Sequence, residues 1–351
     1  MEIRTFIGRK LDYVNGVLRR QIELDRHLIG YDNLNLTYYY YLSPKNVIDF
    51  LSKRYFLYPY RSYREDSDKN TINHLTFQYL GDLCHFLDKS RTIITCHDIY
   101  TFLERGSIKN PYFLQLYSLL GMKKCRLIIS VSDFTKSQLI ERFKIPESKI
   151  VVIKNAINRK IFYPMSEEIH ETLYPNSLKL LHVGTEDYRK DFPTLLKAFY
   201  LIKKQIKNVK LIRVGRPLFK FYIKKLGLEK DIVYIKNISN RRLREIYNLV
   251  DFFIFPSLYE GYGFPGLEAA SCGTPVICTD IPIFREIYQD FPYYFPLRDY
   301  RALASNVINN IKDEVLRKEK IKKGFEVLDK YSWENSAKLY LKTAQRVIEN
   351  I

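Results

Sequence analysis

Short apolar runs alternate with helix-like stretches along the first half of the chain. The apolar runs predict strands at Leu34–Leu42, Arg91–Cys96, Arg126–Val131 and Ile150–Ile153. The spacing of apolar positions between them predicts helices over Tyr13–Ile29, Pro44–Tyr55, Gln78–Leu87 and Asp133–Phe143, the last with Ser132 as its N-cap. Strands that alternate with helices are typical of βαβ units, in which the strands form a parallel sheet.

The alternation stops over residues 162–177, FYPMSEEIHETLYPNS, and then starts again. Strands are predicted at Leu178–Val183, Lys210–Val214, Ile232–Ile235, Phe252–Phe255 and Pro275–Thr279, with helices at Asp191–Ile206, Leu218–Leu226, Asn240–Leu249 and Gly266–Cys272. The pattern therefore predicts two doubly wound, Rossmann-like α/β domains. We assign residues 1–161 to the first, 162–177 to a linker, 178–330 to the second, and 331–351 to a helix that crosses back to the first. Ligands of such sheets bind beyond the carboxyl ends of the strands, so we expect the site in a cleft between the domains.

Length and cysteine content agree with this organisation. A chain of 351 residues is longer than a typical domain with one hydrophobic core, and its length suits two domains. The five cysteines are scattered and form no CxxC pair, which argues against a disulfide framework or a zinc site and favours a reducing compartment. The start of the chain has no apolar segment of a signal peptide, and no run of about 18 apolar residues occurs. We therefore expect a cytoplasmic protein.

The charge is the unusual quantity. The chain has 57 Lys and Arg against 39 Asp and Glu, a net charge of +18, and the excess is spread over both halves. Such a balance suggests a polyanion or an anionic membrane surface as partner. A nucleic-acid-binding protein is one alternative, although no zinc-finger, homeodomain or RNP pattern is found. The stretch Ser52–Arg64, rich in Tyr, Lys and Arg, is a candidate for contact with the inner face of a membrane.

The loop after the predicted strand Phe252–Phe255 carries the richest chemistry. Gly261 and Gly263 allow a tight turn, and Pro265 suits the first turn of the helix that follows. Two carboxylates, Glu260 and Glu268, are eight positions apart and could accept hydrogen bonds from sugar hydroxyls. The alternative is that the helix dipole alone favours acidic groups there.

The segment EGYGFPGLEAASCGTPVI, from Glu260, resembles the E-x7-E segment of retaining glycosyltransferases of family 4, which have the GT-B fold. Further segments are similar in the same order, namely SVSDFTKSQLIERF from Ser130, KIVVIKN from Lys149, HVGTEDYRKDFPTLLKAF from His182 and YSWE from Tyr331. The resemblance covers nearly all of residues 90–345. It implies transfer of a sugar from a nucleoside diphosphate, UDP or GDP, to a hydroxyl on a glycan, glycolipid or lipid-linked sugar.

The resemblance also implies roles for individual residues. Arg189 and Lys190 would stabilise the charge of the departing diphosphate, Glu260 would bind donor-sugar hydroxyls, and Glu268 would bind the ribose. The expected catalytic set is His97, Arg189, Lys190 and Glu260, and the expected donor-binding set is Gly16, Gly184, Asn237, Ile238, Gly261, Tyr262, Gly263, Phe264, Pro265 and Glu268.

The first domain matches the family less closely. His97, after the strand that ends at Cys96, resembles the family's cleft histidine, and Asp98 would orient its loop. Gly16 is the nearest equivalent of the family's glycine-rich turn, with Asn15 replacing one glycine. A loop around Ile72–His74 is expected on the acceptor side.

We expect neither a metal nor another cofactor, because Arg189 and Lys190 take the place of a cation. The only DxD triplet, Asp66-Ser67-Asp68, lies in a polar stretch that follows no strand. The motifs place no carboxylate as an opposite-face nucleophile, which favours front-face attack with retention. A nucleotide-sugar epimerase of the same fold is an alternative, whereas a phosphorylase would need a pyridoxal-phosphate lysine motif and a larger chain.

Overall fold

The computed structural model describes residues 1–9, 16–41 except 32, 46, 49, 52–58, 60, 70–103, 112–165, 174–185, 187–217 and 219–349. They divide into two compact units, Met1–Asn155 with Ser332–Ile351, and Ala156–Tyr331. We refer to these as the first and second domains. Half of the predicted linker (residues 166–173), Asn15, the DxD triplet and residues 61–64 lie outside the described residues, as does half of the helix predicted at Pro44–Tyr55.

The first domain contains a six-stranded parallel sheet of order β2-β1-β3-β4-β5-β6. The strands are β1 Glu2–Arg9, β2 Asn35–Tyr41, β3 Thr71–Leu75, β4 Thr92–Cys96, β5 Leu127–Ser130 and β6 Ile150–Val152. The helices are α1 Gly16–Leu28, α2 Tyr100–Leu103, α3 Tyr112–Lys124 and α4 Asp133–Phe143, with a π-helical turn at Lys53–Leu57 and a 3₁₀ helix at Gln78–His85. Ser132 caps α4 as predicted, since its Oγ accepts a hydrogen bond from the Thr135 N–H at 3.0 Å.

The expectation of an acceptor-side loop around Ile72–His74 is wrong. These residues form the centre of β3, and all five residues of that strand are buried. The His74 ring nitrogen Nε2 lies 2.9 Å from Thr95 Oγ1 on the neighbouring β4. The strand was not predicted because polar residues interrupt the apolar run that usually indicates a buried strand. Their side chains can be buried here because they meet polar partners inside the sheet.

The helix at the end of the chain, α12 Trp333–Glu349, belongs to the core of the first domain. Ala337, Tyr340, Ala344 and Val347 of α12 pack in one cluster with apolar residues of α1 and of the sheet. Ser336 Oγ also donates a hydrogen bond to the Lys154 carbonyl at 2.6 Å, which attaches the start of α12 close to β6.

The second domain contains another six-stranded parallel sheet, of order β12-β11-β10-β7-β8-β9. Its strands are β7 Leu178–Val183, β8 Val209–Val214, β9 Ile232–Ile235, β10 Phe252–Phe255, β11 Val276–Thr279 and β12 Tyr293–Phe295. Its helices are α5 Phe192–Gln205, α6 Lys220–Lys225, α7 Asn240–Leu249, α8 Phe264–Ser271, α9 Pro282–Tyr288, α10 Tyr300–Asn310 and α11 Glu314–Leu328. The apolar runs predicted β7 to β11, whereas β12 has three residues and is too short to show a period.

The contact between α3 and the 3₁₀ helix depends on two glycines. A methyl group at Gly121 would overlap the Gly81 carbonyl, and one at Gly81 would overlap the Ser118 carbonyl. Two main chains that approach so closely leave room only for hydrogen at these positions. This contact therefore determines which face of α3 lies against the domain.

We expect Gly121→Ala to lower the free energy of unfolding by about 1–3 kcal/mol, because the added methyl group forces two main chains apart. Gly324→Ala is the matched control, since its Cβ would lie at an ordinary 3.4 Å from the Ala270 Cβ. Alanine favours a helix over glycine, so this control should be neutral or stabilising by up to about 1 kcal/mol. Urea unfolding followed by circular dichroism measures both, and equal stability of the two variants would contradict the prediction.

Candidate active site

Four loops at one edge of the second sheet lie side by side, because their strands are neighbours in the order β10-β7-β8-β9. The loops after β7 and β8 are in close contact: a side chain at Gly215 would place its Cβ 2.6 Å from the Gly184 carbonyl oxygen. Gly215 also has φ of 148°, a conformation that side chains rarely adopt. This edge therefore brings main chain from several loops together where the sequence predicted donor contacts.

Lys190 and Glu260, both in the predicted catalytic set, form a buried ion pair. Lys190 ends the 3₁₀ turn Tyr188–Lys190 after β7, and Glu260 lies in the loop after β10. Lys190 Nζ bonds to Glu260 Oε1, and Ser257 Oγ donates to the same oxygen at 2.8 Å. The lysine side chain is 11% exposed and that of the glutamate 10%. Because an ammonium group has three donors, Lys190 retains hydrogen-bonding capacity beyond the glutamate.

Arg189 has a different partner from its neighbour. Its Nε bonds to Asp187 Oδ2 at 2.7 Å, and the pair is partly exposed. Its carbonyl accepts a hydrogen bond from the Leu258 N–H at 2.7 Å, which joins the loops after β7 and β10 through the main chain. The nearby carboxylate partly neutralises the guanidinium, as Glu260 does the ammonium of Lys190.

Glycines shape the turn that precedes α8. Gly263 caps the helix with φ of 93°, and Pro265 lies in the first turn as predicted. The buried Tyr288 hydroxyl donates to the Gly263 carbonyl, and a side chain at Gly263 or Gly266 would overlap Tyr288. Burial raises the pKa of Tyr288 well above its usual value, so its hydroxyl stays a donor. Tyr288 therefore explains both glycines by close packing.

Glu268 is almost enclosed by the protein, with 1% of the residue exposed. Tyr247 of α7 donates its hydroxyl hydrogen bond to Glu268 Oε2 at 3.1 Å. Tyr247 was not indicated by the sequence, because its position on an apolar helix face predicts only a core residue. The tyrosine orients the carboxylate from the side of α7.

Arg213, on β8, is a further residue that the sequence did not indicate. Its guanidinium is fully buried, with Nη1 2.5 Å from His182 Nδ1 and the group 4.2 Å from the Phe192 ring centroid. It also donates to the Thr185 and Arg216 carbonyls at 3.3 and 3.4 Å. Burial, and then the charge of Arg213, lower the pKa of His182 well below its usual value, so the neutral ring accepts this bond. The only indication in the sequence was that Arg213 is a charged residue inside the predicted strand Lys210–Val214.

The remaining donor-binding predictions lie on separate elements. Asn237 follows β9 in the left-handed conformation, with φ of 49°, and is exposed, whereas Ile238 is half-buried. Gly261 and Tyr262 are buried, and Phe264 is half-buried. Gly16 is exposed at the start of α1 in the first domain.

His97 follows β4 in the first domain and is held by two neighbours. Its Nε2 lies 2.9 Å from the Thr76 carbonyl, and its N–H donates to Gln78 Oε1 at 3.2 Å. Since a carbonyl only accepts, Nε2 carries the hydrogen and Nδ1 of the neutral ring is an acceptor. Loss of hydration, with a smaller effect of the Arg20 charge, lowers the pKa of His97 to about 3. Asp98 accepts a hydrogen bond from the Tyr100 N–H at 3.0 Å and so shapes this loop.

The described residues lack two kinds of feature. Within them, no group of three or more His, Cys, Asp or Glu is arranged to hold a metal ion. No helix in the same part of the chain combines the length and apolar character needed to span a bilayer.

Comparisons with known proteins agree with this architecture. The family model of glycosyl transferases group 1 matches residues 166–327, and that of glycosyltransferase family 4 matches residues 44–160. The O-antigen chain mannosyltransferase B of Escherichia coli is 27% identical over 265 residues, which are 70% of this chain and 68% of that protein.

Two solved structures show the same fold at low sequence identity. Sucrose-phosphate synthase from Thermosynechococcus elongatus has a TM-score of 0.80 at 16% identity and covers 100% of both chains. Anabaena HepE in complex with UDP and glucose has a TM-score of 0.75 at 14% identity, over 98% of this chain and 99% of that one. These structures show the GT-B fold, and the family models with the mannosyltransferase relative show the class, so the chain is a glycosyltransferase with the GT-B fold. It is an enzyme of the hexosyltransferase type.

The environment of His97 predicts that its ring stays neutral down to about pH 5. NMR of histidine-labelled protein measures this, with His97→Gln to identify the signal. Because the folded pKa lies below the unfolded value of about 6.5, the native state binds fewer protons than the unfolded chain. The contribution of His97 to stability is therefore complete above about pH 6.5 and is lost towards about pH 3. A titration midpoint near the unfolded value would contradict the assignment.

Proposed function

We propose that the protein is a retaining, metal-independent transferase of the family 4 type. It moves a sugar from a nucleoside diphosphate to a hydroxyl on a glycan, glycolipid or lipid-linked sugar. The observation that carries the proposal is the buried Lys190–Glu260 pair at the loop edge of the second sheet. A relative named as a mannosyltransferase makes mannose the first sugar to test.

The cations supply the chemistry of the leaving group. Negative charge grows on the diphosphate as the glycosidic bond breaks, and a preorganised ammonium in a shielded site stabilises it without reorganisation. Lys190, with Arg189 beside it, takes this role, and no metal or other cofactor is required. Arg213 adds fixed positive charge and holds the carbonyls of the loops after β7 and β8. The Gly184 loop would then meet the diphosphate.

The carboxylates bind hydroxyl groups of the donor. Lys190 and Ser257 hold one oxygen of Glu260, and we propose that this carboxylate binds the donor sugar, together with main-chain N–H groups from Gly261 to Pro265. Glu268, oriented by Tyr247, would bind the ribose. Asn237 and Ile238 would contact the base through their main chain. Their side chains therefore do not identify the base, and both UDP- and GDP-sugars are tested.

Retention follows from attack on the face from which the diphosphate leaves. The departing phosphate oxygen would accept the proton of the attacking hydroxyl, so the protein supplies orientation and charge stabilisation. In the first domain, we propose that His97 Nδ1 accepts a hydrogen bond from a sugar hydroxyl and that Gly16 contributes main chain to donor binding. A cytoplasmic enzyme at the inner face of an anionic membrane is part of the same proposal.

The donor is identified by thermal shift and hydrolysis with UDP- and GDP-sugars, mannose first. We expect one nucleotide series to stabilise the protein, and activity to persist in EDTA. Transfer that EDTA abolishes and a divalent cation restores would overturn the metal-independent mechanism. A new sugar formed from nucleotide sugar alone, without acceptor, would indicate the epimerase instead.

Glu260→Gln and Lys190→Met should each lower turnover by about 100-fold or more, because each removes a charge at the reacting centre. Each single variant also leaves a buried charge without its partner and should lose about 3–5 kcal/mol of stability. The double variant removes both charges and should regain stability but not turnover. Lys338→Met, in an exposed pair with Glu334, is the control and should match the wild type. Near-normal activity of both single variants would refute the site.

A further inference from the structure

Helix α3 is apolar on two sides. Its inner face, which includes Gln115, Ser118, Leu119 and Met122, is buried. Five large apolar residues on the opposite side are 37–66% exposed, and we call them the α3 outer face: Tyr112, Phe113, Leu116, Tyr117 and Leu120. A helix at the surface of a domain ordinarily presents polar residues to water. The absence of a polar outer face also explains why no helical period marked this segment in the sequence.

The outer face is one continuous surface. Its members follow the spacing i, i+1, i+4, i+5 and i+8, which places them along one side of the helix. The Tyr117 ring stacks on His85 with 4.1 Å between ring centroids, and the neighbouring Phe86 is 40% exposed. Clustered rings of this kind mark interaction surfaces, whereas single exposed apolar residues do not.

The charged residues on α3 and directly after it are all basic. Lys123 and Lys124 are exposed at the carboxyl end of α3, and Arg126 follows them. Residues 112–132 contain no Asp or Glu. The Lys124 ammonium lies 3.3 Å from His85 Nδ1, close to the stacked Tyr117. The surface therefore combines apolar bodies, tyrosine hydroxyls and cations without nearby carboxylates along the chain.

We propose that the α3 outer face docks on an anionic lipid bilayer, with its rings at the level of the headgroups and Lys123 and Lys124 on the lipid phosphates. Tyrosine suits this depth because its ring is apolar and its hydroxyl is polar. Basic groups beside an apolar face are complementary to the negative surface of a membrane. Residues 112–132 of a second copy would offer these lysines no carboxylate, which disfavours self-association through α3. The inference rests on the proposed function in one respect only: an acceptor carried by lipid would give the protein a reason to dock on a membrane.

The stretch Ser52–Arg64, the candidate that the sequence offered for membrane contact, differs from α3 in its described residues. Arg54 bonds to both carboxylate oxygens of the buried Asp82, at 2.7 and 2.6 Å, and to the Tyr79 carbonyl at 2.9 Å. Its charge is consequently used inside the domain. Among the described residues of this stretch, Leu57 and Tyr60 are exposed, whereas α3 exposes a row of five large apolar residues.

Co-sedimentation with vesicles tests the inference, using phosphatidylcholine with and without about one phosphatidylglycerol in three lipids. We expect wild-type protein to bind the anionic vesicles and to dissociate as salt increases. Phe113→Ser with Leu120→Ser should weaken binding roughly tenfold or more. Lys123→Gln with Lys124→Gln should weaken it by a similar factor and remove most of the salt dependence.

Helix α6 provides matched controls. Phe221 is 84% exposed there, and Lys224 and Lys225 are exposed. Phe221→Ser and the pair Lys224→Gln with Lys225→Gln should bind vesicles as the wild type does. Circular dichroism should show that all variants are folded, and their thermal shifts with nucleotide should be unchanged.

Three outcomes would overturn the inference. Wild-type protein could fail to bind anionic vesicles, or the α3 variants could bind as well as the wild type. Sedimentation could also show a dimer that Phe113→Ser with Leu120→Ser dissociates, which would assign the face to a second copy. Sugar transfer without vesicle binding would overturn this inference alone, whereas vesicle binding without nucleotide binding or transfer would overturn the proposed function alone.

Discussion

The candidate site depends on one interaction, the ion pair between Lys190 and Glu260. Each group would be costly to bury alone, because a charge loses its hydration inside the protein. Together they join the loop after β7 to the loop after β10, and Ser257 completes the coordination of the carboxylate. The pair thus places an ammonium and a carboxylate at one shielded point, as the proposed binding of a departing anion and a sugar hydroxyl requires.

Close packing of the neighbouring loops holds the ion pair in place. Gly215 allows the loops after β7 and β8 to touch, and Arg213 holds their carbonyls from inside the sheet. Tyr288 occupies the space beside Gly263 and Gly266, so the turn before α8 has one conformation. Preorganisation of this kind keeps dipoles and charges in place without further movement during a reaction. The glycines serve the packing of the protein as much as the approach of a ligand.

Close packing at glycines also determines which side of a helix is exposed in the first domain. The contact of Gly121 with Gly81 selects the inner face of α3, and a row of aromatic and leucine side chains consequently faces outward. Lys123 and Lys124, two of the surplus basic residues of the chain, lie next to this row. Part of the net charge thus belongs to the loop edge of the second sheet, and another part to this surface.

The sequence by itself determined the α/β class, the two sheets and most of the second domain, because its strands are apolar runs that need no partner to be visible. It also indicated Lys190, Glu260 and Glu268 through a resemblance of motifs. Only the tertiary structure revealed β1 and β3, Tyr247, Arg213 and the outer face of α3. Each of these depends on a contact between distant positions, such as His74 with Thr95 or Arg213 with His182. A local pattern reports whether a residue is apolar, but burial of a polar group is decided by the partner that the fold brings to it.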